Sequence, residues 1–102
     1  MATSVREFFE GLESRVDRSK TAGMNNSFVF DIEGAGKWKV EVRNGDVSVT
    51  EGADGGDATI SASEENMLRI ARRELNPTTA YMTGKLKIKG DMGAALKLQK
   101  LF

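Results

Sequence analysis

The stretch from Phe28 to Thr50, FVFDIEGAGKWKVEVRNGDVSVT, decides the fold. Phe28, Phe30 and Ile32 alternate with Val29, Asp31 and Glu33. Trp38, Val40 and Val42 alternate with Lys37, Lys39, Glu41 and Arg43, and Val47 and Val49 with Asp46, Ser48 and Thr50. Successive side chains of a strand point to opposite faces, so this period of two predicts three half-buried strands with one wet face. Asn44-Gly45 has the composition of a type I′ hairpin turn, whose two central residues both need positive φ. Gly34-Ala35-Gly36 supplies the preceding turn. Three consecutive strands joined by short turns make an antiparallel meander.

Upstream the period lengthens. Ser4-Val5-Arg6-Glu7 fits a capping box, and Val5, Phe8, Phe9, Leu12 and Val16 then recur at helical spacing on a stripe of roughly 100°. Ser19 to Asn26 is polar and is expected to be a loop. Downstream, Glu51 to Asp57 is a loop, and Ala58, Ile60 and Ala62 continue the alternation as a fourth strand. Ser61 and Ser63 offer caps for a helix bearing Met67, Leu68, Ile70, Ala71 and Leu75, with Arg69, Arg72 and Arg73 beside them. Asn76-Pro77 opens a short helix that Gly84 ends. Leu86 and Ile88 point inward from a fifth strand, while Lys85, Lys87 and Lys89 point out. In a final helix, Met92, Ala94, Ala95, Leu96, Leu98, Leu101 and Phe102 spread over roughly 220° of the circumference, far more than the ~100° a surface helix needs. Gln99 falls inside that apolar arc. The order of elements predicts an α+β domain spanning residues 1–102, with helices gathered on one face of a five-stranded sheet.

Composition narrows the chemistry. Fifteen basic residues balance fifteen acidic ones, so no strong overall field draws nucleic acid, and no aromatic residues interleave with Lys85, Lys87 and Lys89 or with Arg69, Arg72 and Arg73 to form a stacking platform. The chain has no cysteine and no histidine, which removes thiol nucleophiles, the commonest general base and the commonest zinc ligands. The acidic loop EGADGGD lacks the oxygen spacing and closing glutamate of an EF-hand, so no metal site is expected. Gly34-Ala35-Gly36 lacks the third glycine and following helix of a dinucleotide loop. Tyr81 and Asp91 stand in no catalytic motif, and the expectation is a protein that is not an enzyme and carries no cofactor. The lysine row and the arginines Arg69, Arg72 and Arg73 have two readings, contact with phosphate or an anionic membrane surface, or, for the lysines, protection of an edge strand from unwanted pairing. No secretory signal core or transmembrane-length segment is present, and the final Lys100-Leu101-Phe102 is not a peroxisomal address. The expected location is cytoplasmic.

Asp57-Ala58-Thr59-Ile60-Ser61, followed by Leu75-Asn76-Pro77-Thr78-Thr79-Ala80-Tyr81-Met82-Thr83-Gly84-Lys85-Leu86-Lys87-Ile88-Lys89-Gly90-Asp91 and then Ala95, Leu96 and Leu98, resembles the sterol carrier protein 2 family. The N-terminal helix and meander fit the same domain. The resemblance implies a mixed sheet covered on one face by helices, with an apolar tunnel between the layers. It also implies non-catalytic binding or transfer of a fatty acid, fatty acyl-CoA, sterol-like lipid or phospholipid. The expected tunnel wall is drawn from Phe9, Leu12, Trp38, Met67, Leu68, Tyr81, Met82, Leu86, Ile88, Met92 and Leu96, with Gln99 as its polar contact. The expectation is a departure from the family pattern, without a peroxisomal tail or an attached enzyme domain, as in a free-standing microbial member. The alternative is an interaction or dimerisation module in which the apolar last helix docks on a partner, for instance in a homodimer.

Overall fold

A computed structural model describes residues 4–52, 55–91, 93 and 97. Helix α1 runs Val5–Arg15, and the Ser4 hydroxyl accepts from the Glu7 N–H at 3.1 Å, as the capping box predicts. Val5, Phe8, Phe9 and Leu12 are its buried stripe. Arg15 closes the helix by donating to the Phe8 and Gly11 carbonyls, with its guanidinium 4.9 Å from the centre of the Phe8 ring. A cation in the last turn also suits the helix dipole.

The expected loop from Ser19 to Asn26 is more ordered than its polarity suggests. A single turn, α2 (Arg18–Thr21), is capped by the Asp17 carboxylate, which accepts from the Ser19 N–H at 2.9 Å. Thr21 is fully buried, and its hydroxyl donates to the Gly45 carbonyl at 3.0 Å. This contact pins the segment across the hairpin tip, so α2 depends on a residue 24 positions away. Strand β1 (Asn26–Glu33) also begins inside the expected loop.

Strands β2 (Gly36–Arg43), β3 (Asp46–Glu51), β4 (Ala58–Ser63) and β5 (Leu86–Gly90) complete a sheet of order β3-β2-β1-β4-β5. The β3-β2-β1 meander is antiparallel, and Asn44 at φ 51° and Gly45 at φ 87° form the hairpin turn. β4 pairs parallel to β1 from Phe28↔Ala58 to Glu33↔Ser63, and β5 pairs antiparallel to β4. The sheet is therefore mixed. β5 stops at Gly90, where φ is +102° and a Cβ would come within 2.5 Å of the Asp57 carbonyl oxygen. Only glycine permits that approach.

Helix α3 (Glu64–Ala71) is capped by Ser63, whose hydroxyl accepts from the Asn66 N–H at 3.2 Å. The sequence pattern carries this helix through Arg72, Arg73 and Leu75, but the helix ends sooner. Arg73 lies at φ 62°, the Arg73 N–H donates to Ile70 O, and the Glu74 N–H donates to Arg69 O. This is a Schellman termination with arginine in the left-handed position usually held by glycine. Helix α4 (Pro77–Met82) starts where Asn76 Oδ1 accepts from the Thr78 and Thr79 N–H groups at 2.8 and 3.4 Å. It ends in the same motif, with Gly84 at φ 78°, Gly84 N–H to Tyr81 O and Lys85 N–H to Ala80 O.

Among the described helices, α1, α3 and α4 turn their buried apolar residues toward the sheet. α1 packs on β3 and α3, α3 on β4 and β1, and α4 on β5. Between the layers Phe9 stacks on Trp38 at 4.9 Å and 12°, with the Phe30 ring 5.1 Å away. Such aromatic pairs add to the burial of their area, each by about 0.5–1.5 kcal/mol.

Candidate functional site

The registers arrange the helix-facing side of the sheet into four rows. They are Val47–Val42–Asn26, Val49–Val40–Phe28–Ala58–Gly90, Glu51–Trp38–Phe30–Ile60–Ile88, and Gly36–Ile32–Ala62–Leu86. Apart from Asn26 and Glu51, these rows hold only apolar residues and glycine. Above them the buried residues of the helices are Val5, Phe8, Phe9, Leu12, Met67, Ile70 and Ala80, together with Thr21. Among the described residues, this interlayer space contains no buried cation or carboxylate.

The two exceptions differ. Glu51 sits at the open corner of edge strand β3 and is held by Arg6 of α1 in a two-pronged contact at 2.9 and 2.7 Å. That hydrogen bond, reinforced by the opposite charge, lowers the Glu51 carboxyl below its ordinary range and raises Arg6. The pair roofs a small pocket of about 150 Å³ whose inner wall includes Phe9 and Trp38. Nearby, Glu13 Oε1 accepts from the Val49 N–H at 2.9 Å and so covers part of the β3 edge.

Asn26 is half-buried, and its Oδ1 is shut off from solvent without a hydrogen bond, the only such buried side-chain polar atom among the described residues. An acceptor left in that state costs about 1–3 kcal/mol. Its polarity and its place in an expected loop hid Asn26 at the sequence level. The available signal was the period-two row itself, which runs back from Ile32 through Phe30 and Phe28 to residue 26.

The structure brings most of the expected wall together. Phe9, Leu12, Trp38, Met67 and Leu86 lie in one buried cluster, and Leu68 and Ile88 pack against it half-buried. Tyr81 and Met82 stand apart on the outside of α4, 43% and 78% exposed, because that helix is short and buries only Ala80. Met92, Leu96 and Gln99 lie outside the described residues, as does most of the expected last helix, so the tunnel itself is not delineated.

The opposite sheet face is mostly polar, although Val29, expected on a wet face, is buried there beneath its polar neighbours. Its rows include Lys37–Asp31–Ser61–Lys87 and Lys39–Val29–Thr59–Lys89. A polar groove of about 550 Å³ runs along this side between Asp31, Glu33, Ser63, Lys85 and Lys87. Acids interleaved with lysines give a balanced surface rather than a selective anion site. No group of three or more potential metal-ligating side chains occurs among the described residues, and no described helix is long and apolar enough to cross a membrane.

Relatives share this frame. Hydroxysteroid dehydrogenase-like protein 2 of Xenopus tropicalis is 36% identical over 104 residues, which take in 98% of this chain and 25% of that protein. Sterol carrier protein 2 of Bos taurus is 45% identical over 65 residues, 63% of this chain and 12% of that protein. The chain thus spans a quarter or less of the length of these relatives. The solution structure of palmitated SCP2L2 from Aedes aegypti, 26% identical, matches with a TM-score of 0.78 over 97% of this chain and 94% of that one. The model of the SCP-2 sterol transfer family matches residues 6–102, and the chain belongs to that family.

Proposed function

We propose that this chain is a non-catalytic lipid-binding or lipid-transfer domain that holds one acyl-chain lipid between the sheet and the helices. The observation that carries the reading is the likeness to palmitated SCP2L2 along almost the whole chain, joined to an interlayer surface that is apolar row after row. Binding is driven by burial of methylenes, each worth about 0.8 kcal/mol. Fatty acid, fatty acyl-CoA, sterol-like lipid and phospholipid all present enough apolar surface for this. Phe9, Leu12, Trp38, Met67, Leu68, Leu86 and Ile88 supply the wall from the described part, and Met92, Leu96 and Gln99 complete it from the C-terminal segment. Met67 suits a wall that must fit chains of varied shape, since a thioether side chain is unbranched and polarizable. Tyr81 and Met82, exposed next to the lysine strand, form the rim at which a lipid enters.

The lysines of β5 serve delivery. Lys87 and Lys89 lie exposed on edge strand β5, facing away from the interlayer space, with Lys85 exposed just before it, and the three attract anionic bilayers transiently. Changing all three to glutamine is expected to weaken vesicle association at low salt, with little effect at high salt and none on lipid affinity. Loss of lipid affinity in that variant would place the head group on this strand instead. Native mass spectrometry of freshly purified protein tests the main reading. A co-purified mass in the lipid range supports it, whereas a ligand-free dimer supports a docking module.

A further inference from the structure

We infer that Asn26 is the polar anchor of the lipid site and selects a neutral head group that donates a hydrogen bond, such as an alcohol or an amide N–H. The inference rests on the lipid-binding reading above and assigns the chemistry of the buried end of the ligand. Three observations converge on it. Asn26 occupies the row position that continues Ile32, Phe30 and Phe28, so its side chain stands on the helix-facing side of the sheet opposite Val42, itself buried. Its Oδ1 is buried and accepts no hydrogen bond. Buried polar atoms in folded proteins nearly always have a partner, and a ligand donor would supply the one this oxygen lacks.

The third observation concerns charge. Thr21, the one buried polar residue among those described, spends its hydroxyl on the Gly45 carbonyl. The arginines around the layer are engaged: Arg6 by Glu51, Arg15 by the Phe8 and Gly11 carbonyls, Arg18 by Asp46 and Arg43 by Glu41. A carboxylate head set against Oδ1 would bring acceptor against acceptor, and desolvation would oppose it. A hydroxyl in the same place keeps the apolar contacts of its chain and satisfies Oδ1. The proposal accounts for an asparagine in a row whose other members are Val42 and Val47. In the empty protein it is a structural liability, and the ligand relieves it.

The test is a matched pair of ligands differing only in the donor, 1-tetradecanol and its methyl ether. Each is titrated against a neutral naphthylamine probe bound to the full chain, in wild type and in Asn26→Leu, which preserves shape and removes the acceptor. In wild type the alcohol should displace the probe at a concentration about three- to tenfold lower than the ether, the effect of one net hydrogen bond. In Asn26→Leu that ratio should fall to about one through loss of alcohol affinity, and the melting temperature of the unliganded variant should not fall. A ratio of one in wild type overturns the inference, as does a ratio unchanged in the variant. Equal weakening of both ligands, or a lower melting temperature, would make Asn26 a structural residue. If Asn26→Leu does not fold, Asn26→Ala carries the same comparison. Failure of both compounds to displace the probe from wild type would refute the lipid-binding reading itself.

Discussion

Replacing Gly90 with alanine should damage this fold far more than its position at the end of a strand suggests. The new Cβ would lie 2.5 Å from the Asp57 carbonyl oxygen and 3.1 Å from the Ala58 Cα. Both are backbone atoms, so no side chain can swing aside. The Asp57 carbonyl is already engaged by the Asp91 N–H at 2.9 Å, the bond that holds the chain as it leaves β5. Moving that carbonyl forfeits about 1 kcal/mol of hydrogen bonding. Holding alanine at φ +102° adds a backbone strain of about 1–3 kcal/mol. Together the expected loss is about 3 kcal/mol, a fall of ~12–24 °C in melting temperature for a domain of this size. Gly84→Ala is the control, because its φ is +78° but nothing lies within 4 Å of its Cβ. It should cost only the left-handed backbone term, about 1 kcal/mol or ~4–8 °C. Paired thermal melts decide the matter. Equal losses for the two variants would show that the close approach of β5 to Asp57 contributes nothing.

Three further outcomes follow from local geometry. Arg73→Gly should raise stability by about 0.5–1 kcal/mol, since α3 then ends with the residue that α4 already uses at Gly84, and a thermal melt reads this directly. Asn76→Ala should lower stability by about 1 kcal/mol by freeing the Thr78 and Thr79 N–H groups, measurable by urea unfolding with an unchanged slope. Glu51 has its carboxyl lowered by Arg6, so its contribution is present above the unfolded carboxylate value of ~4.3 and is lost as pH falls through the folded value. Glu51→Gln should therefore melt below wild type at neutral pH, and the two curves should converge in acid. A constant gap across that range would contradict the pairing.

The meander was legible because one face of each strand is buried, and a slip of one residue would turn every apolar side chain outward. The caps at Ser4, Ser63 and Asn76 were equally plain, since a short polar side chain before an apolar-periodic run has few other uses. The parallel pairing of β4 with β1 was a different matter. Alternation gives the face of a strand and not its neighbour, so family resemblance implied a mixed sheet without saying which strands pair in parallel. The turn at Arg18–Thr21 and the burial of Thr21 depend on the distant Gly45 carbonyl, which leaves no mark in local sequence. The early end of α3 was hidden because arginine is a poor advertisement for a left-handed position.

The candidate wall divides along the same line. Residues on strongly periodic elements, such as Phe9, Trp38 and Leu86, lie in the shared core. Tyr81 and Met82 were chosen for their chemistry on a helix too short to show a stripe, and they are exposed. Asn26 was overlooked for the converse reason. Polarity argued for a loop, while only the strand register places it in the apolar layer.

The central claim is that a lipid chain occupies the space between sheet and helices, and Trp38 offers the most direct test. It is the only tryptophan in the chain, buried in that space and stacked on Phe9. Titration with bromine-labelled octadecanol should quench Trp38 emission saturably at one equivalent, because bromine quenches only on near contact, and unlabelled octadecanol should reverse the effect by competition. If calorimetry detects octadecanol binding while the labelled chain leaves Trp38 unquenched, the lipid lies elsewhere on the protein and the account is wrong.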